Sequence, residues 1–334
     1  MIGIPESFPP FRARFPWWGP DLQTVRNHVL HDYAELKAWP AEAFFFPMES
    51  GDRLSASFHR PANDRKLPTV LLIHGFTGCA DSAYVLATAR HLLESGFPVM
   101  RLNLRGAGPT RSACQEMYHA GRSEDVRRVL GDIPRRLTVN GLAAVGFSLG
   151  GSVLMKYLGE EGTVTPLDAA ISISAPIDLG LATQRINAAR NIVYHRWLVS
   201  NTKREWLGGP SILDNQQIEA VRRSKTIYTL DDRVVAPLNG FADADDYYAQ
   251  SSAAQFLDGI KIPTMLIHAA NDPWIPVEMY HAVDWSTNDH LMPVITPSGG
   301  HVGFHGRGGR WHDRGIVHFL EGLNAEACMP MAAD

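Results

Sequence analysis

Apolar residues along this chain gather in short runs split by glycine- and proline-bearing loops, and two periodicities alternate. Residues 44–49 and 54–59 read as two short strands around Ser50-Gly51-Asp52, a hairpin-like opening. The continuous apolar run at 69–74 marks a buried strand. Residues 81–94 carry helical spacing that ends at Gly96, and 99–104 form the next strand. Arg105-Gly106-Ala107-Gly108-Pro109 follows as a loop that neither helix nor strand would tolerate. An amphipathic helix is expected over 122–137, a strand over 141–145, a helical run over 152–158 and a strand over 169–174.

The alternation then stops. Residues 178–255 contain mostly helical pieces, the longest over 181–199. Strand-helix order resumes with a strand at 264–269, a helix at 277–285, a strand at 292–296 and a helix at 315–323. Strands alternating with helices imply an α/β fold, a mostly parallel, doubly wound sheet covered on both faces. An interruption of about 75 residues is too long for an ordinary crossover. It reads as a helical cap, 178–255, inserted into a core formed by 1–177 and 256–334, with an N-terminal extension over about 1–40.

At 334 residues the chain can bury one large core or a core plus an insertion. Hydrophobic residues at 45% and charged residues at 20% suit a globular protein rather than a disordered one. A formal net charge of −4 gives no general attraction for phosphate backbones, so no nucleic-acid partner is expected. Cys79, Cys114 and Cys328 are too few and scattered for a disulfide framework or a cysteine zinc site. A cytoplasmic location is the expectation. No signal-peptide pattern opens the chain, and nowhere do about eighteen apolar residues run together. Peripheral membrane contact and oligomeric state are left open.

The chemistry concentrates at Gly146-Phe147-Ser148-Leu149-Gly150, where an apolar strand gives way to a helical run. In such a nucleophile elbow the serine occupies a strained turn, and flanking glycines let strand and helix approach without Cβ clashes. A serine hydroxyl needs a base, and the base an orienting acid, in the chain order Ser, Asp or Glu, His. Asp272 follows the strand at 264–269, and His301 follows the strand at 292–296 behind paired glycines. Asp178 is the rival acid, its alternative being an N-cap for the helix beginning near Leu181. His305 stands four residues beyond His301, a spacing that could suggest a metal, though a loop histidine bonded to backbone fits better. His281 and His290 read as surface residues, and His74 as a structural one.

An acyl transition state also needs donors for its oxyanion. The N–H groups of Phe76, in His74-Gly75-Phe76-Thr77-Gly78, and of Leu149 are the candidates. Phe147, Trp274 and Val302 neighbour these residues in sequence and are candidate substrate contacts, favouring an acyl chain.

With these residues in place the chain resembles the α/β-hydrolase superfamily, specifically the branch of bacterial YheT-type hydrolases and ABHD1/ABHD3-type proteins. The matching stretches include Pro20-Asp21-Leu22-Gln23-Thr24, His74-Gly75-Phe76-Thr77-Gly78, Arg101-Leu102-Asn103-Leu104-Arg105-Gly106 and Tyr118-His119-Ala120-Gly121, which leads to Glu124-Asp125. They continue through Gly146 to Gly151, then Asp231-Asp232-Arg233, Gly240-Phe241, Tyr247-Tyr248 and Ser251-Ser252. The chain departs from the resemblance at Ala107-Gly108-Pro109, where a polar or cysteine-containing run is expected. The resemblance implies ester hydrolysis of a small-molecule acyl ester or lipid, without cofactor. Alcohol acyl transfer or cofactor-free haloperoxidase chemistry would use the same residues. A non-catalytic ligand-binding protein would not need the complete Ser-Asp-His order.

Overall fold

The computed structural model describes residues 10–29, 36–63 and 65–328, so 1–9 and 30–35 of the N-terminal extension lie outside the described residues. Helix α1 (Pro20–Val29) precedes a hairpin, β1 (Ala41–Pro47) and β2 (Arg53–His59). Then β3 (Thr69–Ile73), α2 (Ala83–Glu94), β4 (Val99–Asn103), α3 (Ser123–Asp132), β5 (Leu142–Phe147), α4 (Leu149–Glu161) and β6 (Ala169–Ile173) alternate. A helical stretch follows: α5 (Leu179–Asn187), α6 (Ile192–Leu207), α7 (Asn215–Arg223), α8 (Ile227–Leu230), a π-turn (Asp231–Val235), α9 (Ala236–Leu238) and α10 (Ala244–Ser251). The chain closes with β7 (Thr264–Ala269), α11 (Glu278–His281), β8 (Leu291–Thr296), a mini-hairpin of β9 (His305–Gly306) and β10 (Gly309–Arg310), and α12 (Trp311–Cys328).

Eight strands form one sheet in the order β1-β2-β4-β3-β5-β6-β7-β8. From β4 to β8 every pairing is parallel; β2 runs antiparallel to both β1 and β4. β3 reads as an unbroken apolar run because all of it is buried, as is every residue of β4 to β7. Their side chains still alternate between two cores. Leu71, Ile73, Met100 and Ala144 pack on the α3–α4 face, while Val70, Leu72, Val99 and Val145 pack on the α2–α12 face. The helical stretch joins the first of these cores through Trp206, Val221, Leu230 and Tyr247.

Three expected helices are cut short or broken. The helix expected over 122–137 stops at Asp132, because Pro134 forces Ile133 out of helical geometry (φ −62°, ψ 124°). The one expected over 181–199 breaks at Ala188. There the buried Asn191 amide donates to the carbonyls of Arg185 (2.8 Å) and Pro273 (2.7 Å), tying the break to the loop after β7. The one expected over 277–285 shrinks to the four residues of α11.

Arg105 fastens the hairpin to the rest. Its buried guanidinium meets Asp125 through two bonds (3.0 and 2.5 Å), Asp52 in the β1–β2 turn (3.0 Å) and Glu116 (3.0 Å). Burial opposes its charge, but the facing carboxylates outweigh that and hold it charged. A second buried polar group, Asp231, sits on the π-turn and accepts a bond from the Tyr248 hydroxyl at 2.7 Å. Burial pushes this carboxyl up to about 7, against the smaller lowering effect of the Tyr248 bond.

Two outcomes are expected. Arg105→Met strands two buried carboxylates and should cost about 3–5 kcal/mol in a urea titration; a loss under about 1 kcal/mol would contradict this role. For Asp231, the folded value lies above the unfolded one, so the fold favours the neutral acid. Its contribution is complete below the ordinary carboxylate range and drains away as pH rises toward about 7. Asp231→Asn should therefore gain Tm relative to wild type at pH 8 but not at pH 4; equal offsets at both pH values would refute it.

Candidate active site

β5 ends at Phe147, and the chain turns through Ser148 directly into α4. Ser148 has φ 51° and ψ −122°, a conformation few non-glycine residues hold. Its N–H donates to Ile173 O at 2.8 Å, and its carbonyl accepts from Gly151 and Ser152 N–H at 2.9 and 3.1 Å. The turn closes only because two positions lack side chains. A Cβ on Gly146 would lie 2.5 Å from Gly150 O, and one on Gly150 would lie 2.3 Å from His74 O. The helical run read from 152 therefore begins three residues earlier, at Leu149.

Ser148, Asp272 and His301 meet at the carboxyl ends of β5, β7 and β8. His301 Nε2 lies 3.0 Å from Ser148 Oγ, and His301 Nδ1 lies 2.8 Å from Asp272 Oδ2. The other Asp272 oxygen accepts from Trp274 N–H (2.8 Å) and Ile275 N–H (3.0 Å). Burial opposes ionisation of Asp272, yet His301, with smaller help from His268 and the Ile275 N–H, outweighs it and keeps its carboxyl below the usual range. Trp274 stacks on the imidazole, with ring centroids 4.4 Å apart.

The loop carrying His301 is fixed from outside the sheet, by residues the sequence reading did not assign to the site. His301 N–H donates to Thr24 Oγ1 (2.9 Å), Asn27 donates to Val302 O (3.2 Å), and Val302 N–H donates to Ser174 Oγ (3.2 Å). Thr24 and Asn27 belong to α1, an element the periodicity did not reveal. The signal available was the Pro20-Asp21-Leu22-Gln23-Thr24 stretch, noted only as a family match.

Opposite Ser148, the loop after β3 carries Phe76. Gly75 N–H donates to Tyr84 Oη (2.8 Å) and Thr77 N–H to Tyr118 Oη (2.7 Å). Among the described residues, the Phe76 and Leu149 N–H groups have no hydrogen-bond partner. Leu149 opens α4, so its N–H has no intrahelical acceptor and lies at the positive end of the helix dipole.

Two cavities flank Ser148. One, about 310 Å³, is the more polar of the two, lined by Thr24, Asn27, Asp81, Trp197, Trp274 and Val302 among others. The second, about 120 Å³, is mainly apolar and runs under the helical stretch past Leu179, Ile186, Leu198, Ile227 and Leu230 to Asp231. Trp274 and Phe76 face both cavities. Phe147, a candidate substrate contact, lines neither. It is fully buried on the α2–α12 face against Tyr84 and His312, because a residue beside the elbow serine points to the opposite side of the strand.

The remaining polar residues have structural explanations. Asp178 caps α5, its carboxylate accepting from Leu181 N–H at 2.9 Å. His74 accepts from Leu104 N–H at Nε2 (3.1 Å), so its Nδ1 carries the proton that bonds Gly75 O (2.8 Å); burial lowers it to about 4 and keeps it neutral. His305 is buried with Nδ1 3.3 Å from Arg26, and burial, Arg310 and Arg26 depress it to about 2. Its backbone carbonyl and N–H, rather than its ring, engage Gln23. Among the described residues no group of His, Cys, Asp or Glu could hold a metal ion, and no helix is long and apolar enough to cross a membrane.

A family model described as alpha/beta hydrolase fold matches residues 68–198. YheT of Escherichia coli (strain K12) is 32% identical over 252 residues, covering 74% of this chain and 73% of that protein. Phospholipase ABHD3 of Mus musculus is 27% identical over 258 residues, 76% of this chain and 62% of that one. Among solved structures, the Pyrococcus furiosus esterase Pf2001 superposes with a TM-score of 0.58 at 17% identity, covering 94% of this chain and 98% of that one, a likeness of fold. Sheet order, elbow geometry and these matches together make the chain a member of the α/β-hydrolase family, related to YheT and the ABHD3-like proteins.

Proposed function

We propose that this protein is a serine hydrolase that cleaves carboxylic esters through an acyl-enzyme intermediate. One observation carries the reading: the unbroken hydrogen-bonded chain from Ser148 Oγ through the His301 imidazole to the Asp272 carboxylate. Similarity to a putative esterase, YheT, and to a monoacylglycerol lipase of Saccharomyces cerevisiae supports it.

In this mechanism His301 Nε2 takes the hydroxyl proton as Ser148 Oγ attacks the ester carbonyl. Asp272 accepts from Nδ1–H, fixing the tautomer that leaves Nε2 free as a base and stabilising the imidazolium that forms. Negative charge develops on the former carbonyl oxygen, and the N–H groups of Phe76 and Leu149 are the donors assigned to it. His301 then returns the proton to the departing alcohol. Water attacks the acyl-enzyme by the same route, and the serine is restored.

The two cavities divide the substrate. The narrow apolar one suits an acyl chain, since transferring hydrocarbon there contributes about 0.8 kcal/mol for each buried CH₂. The wider, more polar one suits the alcohol, with Trp274 contacting both halves. Phe76, Leu149, Trp274 and Val302 are the substrate-side residues of this reading. The helical stretch over 178–255 acts as a cap, roofing the acyl side with α5, α6 and α8. The chemistry invokes no cofactor, and the substrate class is a small acyl ester or lipid.

Ser148→Ala should abolish turnover of p-nitrophenyl acyl esters and labelling by a fluorophosphonate while preserving the unfolding transition; continued turnover would exclude Ser148 as nucleophile. Asp272→Asn should lower kcat by roughly 10⁴-fold through the wrong imidazole tautomer. Asp178→Asn should leave kcat near wild type and cost only about 1 kcal/mol or less as a weakened helix cap. The opposite ranking of these two variants would transfer the acid role to Asp178.

A further inference from the structure

The loop after β3 holds a conformation that its own residues do not favour. Thr77 sits at φ 55°, the left-handed region that a β-branched residue rarely enters. Such a backbone persists only where its neighbours over-determine it. Gly78 N–H closes the turn onto Gly75 O at 3.1 Å, and the Tyr84 hydroxyl takes the Gly75 N–H. A further tie is Tyr118, whose hydroxyl accepts, at 2.7 Å, the Thr77 N–H that directly follows the Phe76 donor in the chain. Its ring meets those of His74 and Phe76 edge-on, with centroids 5.6 and 6.3 Å away.

Tyr118 is itself oriented from another part of the fold. Its hydroxyl donates to Glu205 Oε2 at 3.2 Å, and Glu205 lies on α6 in the helical stretch between β6 and β7. The end of α6 is in turn clamped by Arg111, from the loop after β4. Arg111 Nε donates to Glu205 O (2.6 Å), Nη2 to Trp206 O (3.2 Å) and Pro210 O (2.5 Å), and Nη1 to Cys114 O (2.7 Å). This guanidinium bonds carbonyls in and just beyond the last turn of α6, where intrahelical donors run out. The result is a continuous connection, Arg111 to α6, Glu205 to Tyr118, and Tyr118 to the loop that presents Phe76.

We propose that Tyr118, oriented by Glu205, is the positioning residue for the Phe76 oxyanion donor, so that the helical stretch completes the reaction centre rather than only roofing it. The inference rests on the serine-hydrolase reading above. A backbone donor cannot be aimed by its own side chain, so its placement depends on the bonds made by its neighbours. A phenol suits this place because it donates and accepts at once. Sending its proton to a carboxyl polarises the oxygen and strengthens its acceptance of the Thr77 N–H. Burial, with the nearby Glu205, also keeps the Tyr118 hydroxyl protonated well above neutrality, so that donor is always present.

The experiment measures kcat and KM for p-nitrophenyl butyrate on the full chain, with active sites counted by fluorophosphonate titration and folding followed by Tm. Tyr118→Phe keeps the ring contacts and deletes both bonds. Its kcat per titrated site should fall on the order of 10-fold or more, below the 10²–10³-fold expected for outright loss of an oxyanion donor, with KM nearly unchanged. Glu205→Gln, which still offers an acceptor, should retain most activity, while Glu205→Leu should fall toward Tyr118→Phe. The Tyr118→Phe, Glu205→Leu double variant should be no worse than Tyr118→Phe alone, because the two act in series.

If kcat per site in Tyr118→Phe stays within about two-fold of wild type, or the two losses multiply, the proposal is overturned. Should Tyr118→Phe not fold, the Gln and Leu variants of Glu205 decide the matter by the same criterion. A failure of the underlying reading looks different: Ser148→Ala would then retain turnover, whereas failure of the positioning role alone leaves that variant inactive.

Discussion

The structure depends on one tight junction, the passage from β5 into α4 through a serine whose backbone lies in the left-handed region. That geometry exists only if α4 presses against the end of β3 closely enough to bring Gly150 into contact with the His74 carbonyl. The close approach fixes how the first turn of α4 lies over the sheet. It also brings the loop after β3 to face the serine: a Cβ on Gly75 would stand 2.9 Å from that of Ser148. Strand, helix and the loop after β3 are therefore one mechanical unit, set by backbone contact rather than by side-chain chemistry.

Parallel register extends this unit sideways. Because β5, β6, β7 and β8 run in the same direction, their carboxyl ends lie along one rim, and loops leaving them converge there. Ser148, Asp272 and His301 come from three of these ends. Register alone does not aim an imidazole, however. The His301 loop is held by Thr24 and Asn27 from α1 and by Ser174 from the end of β6. Asp272 is held by two N–H donors from its own loop, which offset the penalty of burying a carboxylate. Each reactive group is thus oriented by a polar contact outside the reacting set.

The helical stretch adds an asymmetry. It shares the apolar core of one sheet face, so its placement over Ser148 rests on burial. It leaves an apolar cavity on its own side and a wider, more polar cleft on the other. An ester has the same two-sided character, an acyl chain on one side of the reacting carbon and an alcohol on the other.

The amino-acid sequence determined what depends on local pattern. An unbroken apolar run marked β3, because a strand covered on both faces can take apolar residues at consecutive positions. Glycines at 146 and 150 marked the elbow, because no other residue permits that backbone approach. Pro134 was equally legible as a helix stop, although the amphipathic pattern running past it suggested a longer helix. What only the tertiary structure decided was pairing between distant residues. Asn191 breaks a helix because Pro273 waits 82 positions away for its amide. Thr24 supports His301 across 277 positions, and Phe147, adjacent to the serine in sequence, faces away from it. Periodicity records which side of an element is apolar. It does not record which distant partner will meet a polar atom there, because that meeting is fixed by packing, and packing exists only once the chain has folded.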